Sequence, residues 1–152
     1  MTDLEKKLQN FKKNKDDAEA NRRANEQNAL DERIKFEEEA KDVAASKIAP
    51  VFDKVGAWFT NSGFTVTREL AFSASNFKPL IKPLVIMLDN NNIQLSVAAN
   101  SMFKRIQFNV VGKKVTDKVQ FGDKPIDFFL DNVNEEVIEE EINKAVTIFF
   151  KL

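Results

Sequence analysis

Apolar residues are thinly scattered over the first 49 positions and dense after them, and their spacing changes with their density. Leu4, Leu8 and Phe11 fall at i, i+4 and i+7, a short stripe along one side of a helix. From Asn14 to Asn28 only Ala18, Ala20 and Ala24 are apolar, too small to bury a seam. Periodicity returns with Leu30, Ile34, Ala40, Val43, Ala44 and Ile48, and continues past Pro50 as Val51, Phe52, Val55, Trp58 and Phe59. With neither glycine nor proline before Pro50, this segment is helix or disordered chain rather than sheet. Pro50 either kinks one helix or occupies the first turn of a second. Asn61-Ser62-Gly63 is a helix stop.

The spacing then drops to two. In the run Phe64 to Ala74, positions 64, 66, 70, 72 and 74 are apolar and share one face of a predicted strand. Leu84–Leu88 is continuously apolar, as expected of a central strand covered on both sides. Asp89 to Asn92 is a turn, because Asn and Asp tolerate left-handed backbone. Ile93, Leu95, Val97 and Ala99 complete a hairpin. A second hairpin is predicted from Ile106, Phe108 and Val110, a turn at Gly112-Lys113-Lys114, and Val115, Val119 and Phe121. A short apolar piece, Ile126 to Leu130, precedes a last helix. Asn134 is its N-cap, Val133 and Ile138 its staple, and Glu135 and Glu136 lie in its first turn. Its inner face is Ile138, Ile142, Ala145, Phe149 and Leu152, with Val146 and Phe150 beside it. The predicted fold is α+β: a long N-terminal helix or helix pair, an antiparallel meander of about five strands, and a C-terminal helix.

Composition divides the chain at the same place. Residues 1–49 hold 11 Lys or Arg and 12 Asp or Glu, whereas residues 50–152 carry all four prolines, all four glycines and 12 of the 14 phenylalanines. Two regions are therefore expected, a charged helical arm over 1–49 and a compact α+β domain over 50–152. As one helix, residues 2–49 would span about 70 Å at 1.5 Å per residue, so the arm is expected to dock on something. It is basic near its start (Lys6, Lys7, Lys12, Lys13 and Lys15 against Glu5). Over residues 31–42 it is acidic, a polarity suited to antiparallel pairing of two arms.

The formal net charge of −1 offers no global attraction to nucleic acid or to an acidic membrane surface. The first residues are too polar for a secretory leader and no run approaches transmembrane length, so a cytoplasmic protein is expected. Histidine, cysteine and tyrosine are absent. They supply most of the bases, nucleophiles and acids that enzymes use near neutrality. Thiolate or imidazole metal sites are excluded with them, and neither a metal nor a cofactor is expected. No phosphate loop, nucleophile elbow or paired-carboxylate motif replaces them.

The chain is therefore expected to be a non-catalytic interaction protein of the adaptor, inhibitor or mobile-element accessory kind, one that self-associates or docks a protein partner. The contact residues expected are Leu4, Leu8 and Phe11 on the arm, and Phe128, Phe129, Phe149 and Phe150 near the C-terminus. Adjacent phenylalanine pairs cannot both face one core from one element. A second reading is a small-ligand-binding α+β roll with a Phe-lined cavity. Arg68, on the apolar face of its strand, would hold an anionic group there. A third is nucleic-acid binding through the basic hairpin 104–118, with Lys104, Arg105, Lys113, Lys114 and Lys118.

Overall fold

The computed structural model describes residues 2–71, 78–114, 120–122 and 125–152, with the backbone alone for 120–122. It divides into two compact units, Met1–Lys35 and Phe36–Leu152. The division precedes the composition shift at Pro50, because residues 36–49 already carry core side chains. Phe36, Ala40, Ala44 and Ile48 are buried.

In the first unit the backbone is helical, part of helix α1 (Asp3–Val43). Its surface is held by pairs one turn apart, Arg22 to Glu26 at 2.8 Å, Arg23 to Glu19 at 3.1 Å and Gln27 to Asp31 at 2.9 Å. Each such pair contributes about 0.2–0.5 kcal/mol. This explains how a segment almost without apolar burial is written as a helix.

The second unit begins with the end of α1, passes through a π-helical turn at Ala44–Ile48 and enters α2 (Ala49–Asn61). Pro50 lies in the first turn of α2, where its missing N–H costs nothing. The widened turn before it accommodates a ring that a regular α-helix would press against a preceding carbonyl. Gly63, at φ 92°, ends the helix as expected, and the Phe64 N–H donates to the Phe59 carbonyl at 3.0 Å.

The sheet is antiparallel. Strands β1 (Thr65–Thr67), β2 (Leu84–Leu88), β3 (Asn91–Asn100) and β4 (Arg105–Lys113) follow in meander order. Asp89 and Asn90, both at positive φ, make the two-residue turn between β2 and β3. The free edge of β4 takes β5 (Gln120–Gly122) at one end and β6 (Ile126–Phe129) at the other. Gly112 faces Phe121 and Phe108 faces Ile126, so the pairing shifts by one residue between them, next to Pro125. The two short strands thus fill one edge position, and the sheet is five positions wide.

Two expectations are corrected. The first strand stops at Thr67, residues 68–71 are irregular, and Leu70 is exposed; Phe72 and Ala74 lie outside the described residues. At this point the Arg68 side chain bonds the Lys82 and Pro83 carbonyls, as described below, and Pro83 has no N–H to offer a partner strand. Gly112 is inside β4 rather than in a turn. A Cβ there would come within 2.5 Å of the Phe149 ring, so the glycine makes room for the closing helix.

That helix, α3 (Glu135–Phe150), starts at Asn134, whose side chain accepts from the Val137 N–H at 2.9 Å, and Val133 and Ile138 are both buried. The core lies between one face of the sheet and the helices. Leu84, Ile86, Ile93, Leu95, Val97, Ile106 and Phe108 come from the strands, and Ile48, Phe52, Val55, Ile138, Ile142, Val146 and Phe149 from the helices. β3 is buried on both faces over residues 93–98, and β2 over residues 84–86. On the far side of β3 the Ala71 N–H donates to Gln94 Oε1 at 2.9 Å, and Pro79 bridges to Ala98.

Candidate interaction surface

α2 and α3 lie side by side and run in the same sense, since Lys54 meets Glu139 and Phe59 meets Phe150. Both spend their apolar faces on the sheet, yet α2 carries one large residue too many. Trp58 is 48% exposed beside α3, with the Lys54 ammonium 5.1 Å from its ring centre. Between the helices runs an open groove of about 430 Å³. Its floor is Val55, Phe59, Ile142 and Val146, its walls include Trp58 and Leu152, and its rim is Glu136, Glu139, Glu140 and Asn143.

The rim is acidic because α3 opens with glutamates, which favour a helix N-terminus. Lys54 pairs with Glu139 at 2.7 Å, and Lys144 lies 3.5 Å from both Glu140 and Glu141. Glu141 first, and then Glu140, raise the Lys144 ammonium above its ordinary value. Among the described residues no cation pairs with Glu136. Such a groove offers apolar area to a side-chain row and negative charge to whatever flanks that row.

The residues singled out in the sequence divide by exposure. On the arm, Leu4, Leu8 and Phe11 are 65%, 59% and 68% exposed. Phe149, by contrast, is 1% exposed inside the core and offers nothing to a partner. Phe150 is half-buried in a run of edge-on rings. It lies 4.8 Å from Phe149 and 5.1 Å from Phe64, and Phe64 is 4.9 Å from Phe59. Phe128 is half-buried against the core and Phe129 points to the far side of the sheet, where the Arg105 guanidinium covers its ring at 4.3 Å. Met102 and Phe103, in the β3–β4 loop, are also exposed. Trp58 and the glutamate rim are not among the contacts expected from the sequence, although Trp58 belongs to a set of large aromatics that one core cannot hold, and Leu152, expected on the inner face of the last helix, is exposed beyond its end.

Arg68 is occupied. Its Nε donates to the Pro83 carbonyl at 2.8 Å and one amino group to the Lys82 carbonyl at 2.9 Å, while the other pairs with Asp53. The guanidinium also lies 5.5 Å from the Phe52 ring. It is a strap tying α2 and β1 to the chain entering β2. The basic hairpin is spread out: Lys104 and Arg105 sit at one end of β4, Lys113 and Lys114 at the other. Eight residues of strand put about 27 Å between those ends. The Lys114 ammonium lies 5.2 Å from the Phe149 ring, and Lys118 lies outside the described residues. No helix among the described residues is long and apolar enough to cross a membrane, and no group of three or more acidic side chains among them is placed to hold a metal ion.

No protein-family model, no curated protein and no solved structure matches the chain.

Proposed function

We propose that this chain is a non-catalytic interaction protein that works by self-association or by docking another protein. The observation that carries this reading is the open groove between α2 and α3, an apolar floor beside an exposed tryptophan under an acidic rim. The exposed stripe of the arm supports it, because three large apolar residues in a row on a polar helix are costly in water unless something covers them at work. The side-chain repertoire argues in the same direction, since the chain lacks His, Cys and Tyr. The engagement of Arg68 by two backbone carbonyls argues against its serving as the anchor of a small anionic ligand.

Photo-cross-linking from position 58 in intact cells tests the reading. A benzophenone side chain replacing Trp58 should yield discrete covalent products with protein, whether the same chain or another. The same probe at Asp42, on exposed and polar surface, should not. Equal, diffuse labelling from both positions would sink the proposal.

A further inference from the structure

The arm and the groove carry complementary chemistry in one chain. At about 100° per residue, Leu4, Leu8 and Phe11 fall within roughly 60° of one another around the helix. Lys7 and Lys12 flank that stripe on either side and Lys15 extends it, whereas Lys6 and Lys13 lie on the opposite face. A helix presenting this face offers an apolar row with Lys7 along one margin and Lys12 along the other, Glu5 lying about 20° beyond Lys12. The α2–α3 groove is the converse, an apolar floor with Glu136, Glu139 and Glu140 at its rim. Among the described residues its cations are Lys54, spent on Glu139, and Lys144, spread between Glu140 and Glu141.

We infer that the groove receives the N-terminal stripe of a second copy of this chain. Leu4, Leu8 and Phe11 lie on the apolar floor, with Lys7 and Lys12 against Glu136 and Glu140. This rests on the interaction reading above and names its partner. Pairing of arm with arm is disfavoured by the arm's own composition. Beyond Phe11 only alanines are apolar up to Asn28, so two arms have no continuous seam to share. The groove, by contrast, is lined by α3 from Glu136 to Val146, about 15 Å of helix, which is room for three residues whose seven positions cover about 10 Å. Exchange of arms between two copies makes two identical contacts and closes the assembly.

Charge reversal at the two surfaces tests this. One variant carries Lys7→Glu, Lys12→Glu and Lys15→Glu; the other carries Glu136→Lys and Glu140→Lys. Association is measured by sedimentation velocity across concentration, with far-UV dichroism confirming that each variant is folded. Each variant alone should associate at least about tenfold more weakly than the parent, since like charges then face one another. An equimolar mixture should regain association, because each contact is again between opposite charges. A parent chain that stays monomeric at about 0.5 mM overturns this inference; cross-linking from position 58 to a foreign protein would then leave the broader reading standing. A groove-reversed variant that associates as the parent does overturns it in favour of arm pairing. Failure of the mixture to recover overturns it as well.

Discussion

Two residues show how single side chains set this fold. Gly112 faces the Phe149 ring so closely that a methyl group would stand 2.5 Å from it. Gly112→Ala should therefore destabilise by about 1–3 kcal/mol through overpacking, against the usual gain from removing a strand glycine. Adding Phe149→Leu to that variant should recover part of the loss, and a urea-denaturation double-mutant cycle measures the coupling. Arg68 acts in the opposite manner, by reaching out. Arg68→Met leaves the Lys82 and Pro83 carbonyls without their donors and should cost about 1–2 kcal/mol. Asp53→Asn should cost less than about 0.5 kcal/mol because Asp53 is exposed. Equal losses in chemical denaturation would mean that the ion pair, and not the carbonyl strap, is what matters.

At the scale of elements, local signals were legible and distant ones were not. Asp89 and Asn90 announced their turn because the left-handed backbone it needs is a property of those two residues. Asn134 announced α3 because a cap is made within one turn. The length of β1 could not be read, since the bonds made where it ends join Arg68 to carbonyls 14 and 15 positions later in the chain. Gly112 looked like a turn residue because its reason, Phe149, is 37 positions away. The groove was illegible for the same cause: it exists only once α2 and α3 are neighbours, and neither helix states alone which residues the other will leave uncovered. The boundary of the arm follows this logic too. A chain beginning at residue 36 should keep the cooperative unfolding of the full protein. One beginning at residue 50 loses Phe36, Ala40, Ala44 and Ile48 from the core. It should be less stable by several kcal/mol, at about 2–5 kcal/mol for each large aliphatic or aromatic side chain removed. Matching thermal melts for the two shortened chains would contradict the burial seen here.

For the molecule as a whole, absence of histidine and cysteine has a measurable effect beyond catalysis. No side chain is present whose ordinary titration lies nearest neutrality. The ammonium of Lys144 is raised from 10.5, by Glu141 and then Glu140. A base whose folded pKa is raised contributes fully below its unfolded value and loses that contribution only as pH climbs through the higher folded value. Its effect is therefore constant across neutrality and fades in strong alkali. The urea midpoint should change little between about pH 6 and 8.5, a window in which no side chain of this composition has its ordinary titration, and a steep slope there, measured by tryptophan fluorescence, would contradict this.

Helix α1, Asp3–Val43, holds neither glycine nor proline. A linker of glycine or proline would let a protease cut once and separate two pieces. Here Asp3–Val43 is helical throughout, and at a dilution that keeps the chain unassociated susceptibility comes from opening of the exposed helix, which becomes rarer toward the buried turn at Phe36. Trypsin, with lysines and arginines at hand from Lys6 to Lys35, should shorten the chain in successive steps and then stall. The lasting fragment should begin at Ile34 or Phe36, after cleavage at Arg33 or Lys35, with Lys41 and Lys47 still uncut although both are exposed. Such a ladder, read by mass spectrometry over time, would show where along one helix solvation gives way to packing.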